Sequence, residues 1–143
     1  LIARENKHAG GNILLSADFR EIHMGDWEGR EVADIGEAFN DLFHERAQNM
    51  RHARAPGGES FQELQDRAQA AFARICEETV LHKNILLVAH GGFFWALNCA
   101  LFDLPMERLF DFRHDYCGVH LVEEWKEKFT LVSYNWHPNL YSS

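Results

Sequence analysis

The feature that most constrains this chain is an apolar run that stops at a histidine followed by two glycines. Residues 85–89 are all apolar, which predicts a strand buried on both faces, as in the middle of a parallel α/β sheet. The run ends at His90, and Gly91 and Gly92 then open an apolar segment over 93–102 that is long enough for a helix. The sequence therefore predicts a strand–turn–helix unit with a histidine at the turn.

The position of His90 predicts a ligand site. A residue between the carboxyl end of a strand and the amino end of a helix lies where open α/β sheets bind their ligands. Free backbone N–H groups and the positive end of the helix dipole would face the same point, so the expected ligand is an anion such as phosphate. The alternative from the pattern alone is that His90 only caps the helix.

Composition limits the classes of protein to consider. The 143 residues are enough for one domain with a single core, and the formal net charge of -8 argues against nucleic-acid and acidic-membrane surfaces. Cys76, Cys99 and Cys117 lack C-x-x-C spacing, which argues against a disulfide framework or a zinc cluster and favours a reducing, cytoplasmic location. No apolar run approaches the ~18 residues of a membrane helix.

Several segments are predicted from local pattern. We expect the end of a helix at 1–7, a loop at 8–12 and a short strand at 13–15. Apolar residues at helical spacing predict one helix over 31–49 and a second from Ser60 to about Leu81.

Two further signals complete this outline. Ser60 and Glu63 match a capping box, which explains Ser60 as a helix N-cap. The β-rich runs 119–123 and 129–134, joined by the charged turn 126–127, predict a hairpin. The order helix, helix, strand, helix, hairpin is typical of an α/β domain that lacks its first strands, and we expect this chain to begin within a fold.

A second candidate functional segment covers residues 18–29. It is rich in glycine, acidic and aromatic residues without periodicity, which favours an ordered functional loop. A carboxyl group here, such as that of Glu21, is able to protonate a leaving oxygen and later deprotonate water if it lies near a phosphate-binding histidine. The alternative is that Glu21 is a solvated loop acid.

Three motifs occur in order along the chain: residues 21–29 (Glu-Ile-His-Met-Gly-Asp-Trp-Glu-Gly), residues 56–60 with Arg67, and residues 88–92. Together they resemble the middle and late motifs of the histidine phosphatase superfamily. This resemblance implies the phosphoglycerate-mutase-like fold, a three-layer α/β sandwich with a mostly parallel central sheet and helices on both faces.

The resemblance extends from about residue 18 to residue 135. Within the superfamily the chain is most similar to α-ribazole phosphatases, on the basis of residues 84–90, 112–115 and the hairpin around 128–131. It therefore implies that residues 1–143 are the C-terminal portion of a single histidine-phosphatase-like domain.

The resemblance also implies the roles of individual residues. Glu21 matches the proton donor of the family, and His90 matches its second histidine, which binds the transferring phosphoryl group. Gly91 is placed to offer a backbone N–H to a phosphate oxygen, which stabilises developing charge. Glu59 matches the substrate-binding loop motif. Neither a metal nor another cofactor is implied.

One part of the family pattern is missing. The Arg-His-Gly motif that supplies the phosphorylated histidine does not occur in this sequence, and a second phosphate-binding arginine has no counterpart. Residues 51–53 (Arg-His-Ala) look similar, but residues 47–50 before them are not a buried strand. We therefore expect the nucleophile on a segment outside residues 1–143, and these residues alone to be inactive.

The implied function is hydrolysis of a phosphomonoester through a phosphohistidine, with α-ribazole 5'-phosphate or a similar small ester of cobalamin biosynthesis as substrate. Two alternatives stay open: a phosphoglycerate mutase, for whose lid the segment between Glu21 and Gly58 leaves little room, and a non-catalytic, phosphate-binding regulatory module. The expected partner is a small phosphorylated metabolite, with no nucleic acid and no membrane. Trp125, Trp136 and Tyr141 are candidates for a homodimer contact.

Overall fold

A computed structural model describes residues 13–79, 84–111, 113–126 and 128–137. The predicted helix end at 1–7 and the loop at 8–12 lie outside these residues, as do Leu81, Phe112, Glu127 and Tyr141. The helices are α1 (Val32–Ala38), α2 (Asn40–Gln48), α3 (Phe61–Glu78) and α4 (Gly91–Leu101). The strands are β1 (Val119–Trp125) and β2 (Lys128–Trp136), and short 3-10 helices cover Ala17–Phe19, Gly25–Trp27 and Met106–Asp111. None of the helices in the described ranges is long and apolar enough to cross a membrane.

Helix α3 begins at the capping box that the sequence predicts. The Ser60 hydroxyl accepts a hydrogen bond from the Glu63 N–H (3.2 Å), and the Glu63 carboxylate accepts one from the Ser60 N–H (2.9 Å). This reciprocal pair satisfies N–H groups that have no partner within the helix. The prediction that Ser60 caps the helix is therefore confirmed.

The main core lies between α3 and α4. Leu64 and Ala68 of α3 pack with Phe93 and Ala96 of α4, and all four side chains are fully buried. Burial of a side chain as large as Leu64 or Phe93 stabilises the fold by roughly 1.5–3 kcal/mol. This packing fixes the axis of α4, and with it the position of its amino terminus and of His90.

The single helix predicted over 31–49 is instead two helices, α1 and α2, separated at Phe39. The backbone of Phe39 leaves the helical region there (φ -129°, ψ 35°). The break allows Phe39 and Phe43 to pack on the buried indole of Trp27, with ring centroids 6.1 and 6.0 Å away. Ile35 of α1 and Ala55 complete this small second core. Packing against Trp27 therefore overrides the helical periodicity.

The predicted strand over 85–89 does not form in the described part of the chain. The segment carries no strand assignment, and Leu86 and Val88 are 83% and 63% exposed. The only sheet among the described residues is the two-stranded pair β1–β2, so none of these residues forms a neighbouring strand that would complete a hydrogen-bonded ladder with the segment. The prediction of a buried strand here is wrong, and the short strand predicted at 13–15 is absent for the same reason.

Strands β1 and β2 form the predicted hairpin. They pair in antiparallel fashion, with Trp125 opposite Lys128 at the turn. Phe129 of β2 contacts Phe72 of α3, at 5.3 Å between ring centroids. The hairpin prediction is confirmed, and the hairpin covers a part of the helical layer that is distant in sequence.

Candidate active site

The structure brings Glu21 to the amino terminus of α4, 71 positions away in the sequence. Glu21 Oε2 accepts a hydrogen bond from the Gly92 N–H (3.1 Å), and Oε1 accepts one from the Ile22 N–H (2.9 Å). Because each carboxylate oxygen has two lone-pair sites, each keeps one for a further partner. The predicted proton donor therefore lies at the helix end where the sequence predicts an anion site.

His90 directly precedes α4, and its side chain is exposed. Its carbonyl accepts a hydrogen bond from the Phe94 N–H (3.0 Å), but its ring makes no capping hydrogen bond to the helix. His90 therefore occupies the N-cap position of α4, as the alternative had it, but its side chain does not cap the helix and is left exposed. The N–H groups of Gly91, Gly92 and Phe93 precede the first intrahelical bond and lie at the positive end of the helix dipole. An imidazole beside such N–H groups suits an anion; contact of His90 and Gly91 with phosphate stays a prediction.

Gly92 is a site residue that the sequence reasoning missed. A Cβ atom on Gly92 would overlap Oε1 of Glu21, so only glycine lets the carboxylate approach the Gly92 N–H. The available signal was the second glycine of the pair Gly91-Gly92, which the pattern predicted only as a helix opening. A Cβ on Gly91, in contrast, would meet nothing within 4 Å.

The partly buried Glu59 carboxylate is held by protein donors. Arg67 Nε and Nη2 donate to its two oxygens at 2.8 Å each, the His23 N–H donates at 2.9 Å, and Arg20 Nη2 lies at 3.4 Å. Burial raises the pKa of Glu59, but the Arg67 hydrogen bonds, the His23 N–H and the charges of both arginines outweigh it and hold the pKa below its ordinary value. The predicted contact of Glu59 with substrate stays a prediction.

Arg67 also binds backbone carbonyls in the segment that ends at Glu21. Its Nη1 donates to the carbonyls of Asp18 (2.7 Å) and Arg20 (3.1 Å), and its Nη2 donates to the carbonyl of Glu21 (3.3 Å). The side chain is 12% exposed. The sequence reasoning used Arg67 only as part of a motif, because spacing along a helix does not reveal which carbonyls a guanidinium reaches.

The two loops that carry Glu21 and Glu59 interlock at glycines. The Glu59 N–H donates to the His23 carbonyl (2.7 Å). A Cβ on Gly25, whose φ is +54°, would overlap the Pro56 carbonyl, and a Cβ on Gly58 would lie 2.6 Å from the His23 carbonyl. Backbone therefore packs directly on backbone here, and the two motifs form one structural unit.

A histidine pair packs against Phe94 of α4. The His114 ring stacks on Phe94 (5.9 Å, 10° between planes) and lies 4.3 Å from the His120 ring. Tyr134 packs edge-on against His120 at 4.4 Å. Burial lowers the pKa of His114, against the opposing charges of nearby carboxylates that include Glu21, and burial beside His114 lowers the pKa of His120 to about 4. The sequence reasoning used His114 only as part of the segment 112–115 and did not predict its pairing with His120.

No group of three or more His, Cys, Asp or Glu side chains within the described ranges is arranged to bind a metal ion. That the reaction needs no metal or other cofactor stays a prediction.

Comparison of this sequence with known proteins identifies the family to which the chain belongs. The sequence profile described as the histidine phosphatase superfamily (branch 1) matches residues 2–137. An Escherichia coli relative named adenosylcobalamin/α-ribazole phosphatase is 31% identical over 120 residues, which cover 84% of this chain and 58% of the relative. A Hydrogenobacter thermophilus relative, whose name proposes a phosphoserine phosphatase, is 29% identical over 126 residues, 88% of this chain and 61% of the relative.

Solved structures agree with the sequence comparison. The crystal structure of the α-ribazole phosphatase from Shigella flexneri matches with a TM-score of 0.83 and 25% identity, covering 94% of this chain and 66% of that chain. The predicted fold class, the phosphoglycerate-mutase-like α/β sandwich, is confirmed by this match. The chain thus spans less than two thirds of the length of these relatives.

Proposed function

Because the chain belongs to the histidine phosphatase superfamily, we propose that the protein containing it hydrolyses small phosphomonoesters through a phosphohistidine intermediate. The observation that carries this proposal is the hydrogen bond between Glu21 and the Gly92 N–H. This hydrogen bond supports the assignment of Glu21 as an acid–base carboxylate at the amino terminus of α4, which the exposed His90 precedes. A solvated loop acid would not need a glycine in the facing helix to make room for it.

The proposed reaction has two steps. A histidine nitrogen attacks phosphorus, a P–N bond forms, and the P–O ester bond breaks as Glu21 gives its proton to the leaving oxygen. Water then attacks the phosphohistidine, Glu21 takes a proton from that water, and the P–N bond breaks to release inorganic phosphate. His90 and the N–H groups of Gly91 and Phe93 stabilise the negative charge on the phosphoryl oxygens in both steps.

We propose that the nucleophilic histidine lies on a segment outside residues 1–143, which form the C-terminal portion of one domain. The absence of an Arg-His-Gly motif from the sequence supports this. Residues 51–53 do not replace it: His52 lies in the turn after α2, where its N–H donates to the Asn49 carbonyl (3.2 Å). Residues 1–143 alone are then expected to be inactive.

The proposed substrate is α-ribazole 5'-phosphate or a similar small phosphate ester, in the cytoplasm. The relatives named as α-ribazole phosphatases support this choice. Phosphoserine is the second candidate, supported by the Hydrogenobacter thermophilus relative. A homodimer is also proposed, through Trp125 and Trp136, which are 76% and 45% exposed.

The test is a comparison of phosphate release by the full-length protein that contains this chain. α-Ribazole 5'-phosphate, phosphoserine and 3-phosphoglycerate are assayed side by side, with and without a chelator. We expect His90→Ala and Glu21→Gln each to lower kcat by about 10²–10⁴-fold. His52→Ala is the matched control, because its ring is exposed and outside the proposed site. Full activity of His90→Ala would overturn the site assignment.

The same assay separates the alternatives. Movement of phosphate between hydroxyls without its release would favour a mutase. Binding of phosphate esters with no turnover by the full-length protein would favour the regulatory module. An intact mass near 16.6 kDa for the folded native protein would contradict the proposed additional segment.

A further inference from the structure

We propose that Arg67, paired with Glu59, is a positioning residue that holds Glu21 at the amino terminus of α4, and that neither side chain binds the substrate phosphate. The inference rests on the proposed function, because it assigns a task to the residues around the general acid. It also replaces the substrate-binding role that the motif implied for Glu59.

Arg67 uses all of its hydrogen-bond donors on protein acceptors. A guanidinium has five N–H donors. Arg67 uses Nε for one Glu59 oxygen, Nη1 for the carbonyls of Asp18 and Arg20, and Nη2 for the other Glu59 oxygen and the carbonyl of Glu21. Every donor is therefore occupied, and none is left for a phosphate oxygen.

The oxygens of Glu59 are likewise occupied by protein donors. Besides the two bonds from Arg67, they accept the His23 N–H and face Arg20 Nη2. A carboxylate has about four lone-pair sites, so Glu59 is as fully occupied as Arg67. Without these donors, the negative charge of the Glu59 carboxylate would repel a phosphate.

The contacts of Arg67 and Glu59 lie on the backbone around Glu21. Arg67 binds the carbonyls of Asp18, Arg20 and Glu21, and Glu59 binds the N–H of His23. The pair thus holds the backbone on both sides of Glu21, and residues 20–24 form neither helix nor strand. Since Glu21 Oε2 meets the Gly92 N–H at 3.1 Å, a shift of about 1 Å in this backbone would break that bond.

The test variant is Arg67→Lys, which keeps the positive charge. Lysine has three donors at one point and lacks the planar fork, so it cannot serve Glu59 and three carbonyls at once. Arg74→Lys is the matched control: the same change on the same helix, where Arg74 forms an ion pair with the Asp18 side chain instead of with backbone.

The first measurement is kcat/KM of the full-length enzyme for two substrates with different leaving groups. p-Nitrophenyl phosphate needs little protonation of its leaving oxygen, whereas an alkyl phosphate needs a well-placed acid. We expect Arg67→Lys to lose roughly 30-fold on the alkyl ester and less than about 3-fold on the nitrophenyl ester, in the pattern of Glu21→Gln. Arg74→Lys should lose little on either. An equal loss on both esters would overturn the proposal, because a phosphate ligand serves all esters alike.

The second measurement does not depend on phosphatase activity. Amide hydrogen exchange reports the Gly92 N–H, which donates to Glu21, and the Phe94 N–H, which donates to the His90 carbonyl in the same helix. Arg67→Lys should accelerate exchange at Gly92 about 10-fold and leave Phe94 unchanged. Unchanged exchange at Gly92 would overturn the positioning role, even if the wild-type protein hydrolyses no ester and the proposed function fails.

A second variant covers the case in which Arg67→Lys does not fold. Glu59→Gln keeps the size and one oxygen of the side chain, and we expect it to show the same substrate pattern and faster exchange at Gly92. Failure of both variants to fold would assign the pair to global stability and contradict the proposal.

Discussion

On the hydrogen-bonded side of α4, where Glu21 and Arg67 lie, the polar side chains are held by several hydrogen bonds each. Glu21 accepts hydrogen bonds from the N–H groups of Gly92 and Ile22, and Arg67 donates to both carboxylate oxygens of Glu59. On the ring-packed side, where His114 and His120 pack among aromatic rings, each imidazole is hydrogen-bonded, among the described residues, only at Nδ1: His114 Nδ1 lies 3.3 Å from the Tyr134 hydroxyl, and His120 Nδ1 accepts the Asn135 N–H at 3.4 Å. The Nε2 atoms of His114 and His120 are buried without a hydrogen-bond partner in the described part of the chain. The first side fixes one carboxylate through direction-dependent bonds. The second packs two imidazoles among rings, and burial there favours the neutral form of each imidazole.

The largest effect is expected from Gly92→Ala, on the hydrogen-bonded side. The new methyl group would displace the Glu21 carboxylate, and we expect kcat/KM to fall about 100-fold. Stability should change little, because alanine favours helix over glycine. Gly91→Ala is the control, since a Cβ there meets nothing within 4 Å. Equal activity of the two variants would show that the Glu21–Gly92 contact is not needed.

A smaller effect is expected on the ring-packed side, as a dependence of stability on pH. The native pKa of His120 is about 4, against an ordinary 6.5, so between these values the unfolded chain holds a proton that the native protein lacks. Stability should therefore fall as pH drops from about 6.5 to 4, by on the order of 1 kcal/mol after allowance for solvent screening. His114, whose pKa is also lowered, acts in the same direction.

Urea unfolding at several pH values measures this effect. His120→Gln should flatten the dependence, while His52→Gln, at an exposed position, should leave it unchanged. An identical pH dependence in wild type and His120→Gln would mean that the ring-packed side does not respond to acid as described.

The smallest effect is expected from Ser60→Ala. Removal of the cap should cost about 1 kcal/mol of unfolding free energy and leave kcat unchanged. Ser16→Ala, which removes an exposed hydroxyl that accepts the Asp18 N–H at 3.2 Å, should cost less. A loss of activity at full stability would give Ser60 a role in substrate binding that its capping contacts do not explain.

Local signals in the sequence predicted local structure well. The Ser60–Glu63 box, the hairpin and the helix after His90 each depend on residues close together in the chain, and each is confirmed. The break at Phe39 could not be predicted in this way, because it serves packing on Trp27, twelve residues away. The strand predicted at 85–89 failed because apolar character alone does not supply a neighbouring strand.

For the site, residue types were easier to predict than contacts. Glu21 and His90 were selected from motifs, and the structure places Glu21 at the helix that His90 precedes. The roles of Gly92 and Arg67 depend on a hypothetical Cβ overlap and on which carbonyls a side chain reaches. Neither contact can be predicted from the sequence, because each forms only when the loops fold against the helix.

The glycine contacts between the two motif loops also restrict how this chain can vary. Where Gly25 meets the Pro56 carbonyl and Gly58 meets the His23 carbonyl, neither loop has room for an inserted residue unless the other changes with it. The segment between the loops is less restricted, because α1 and α2 carry many exposed side chains. We expect insertions there to be tolerated, while a single insertion in either loop inactivates the protein.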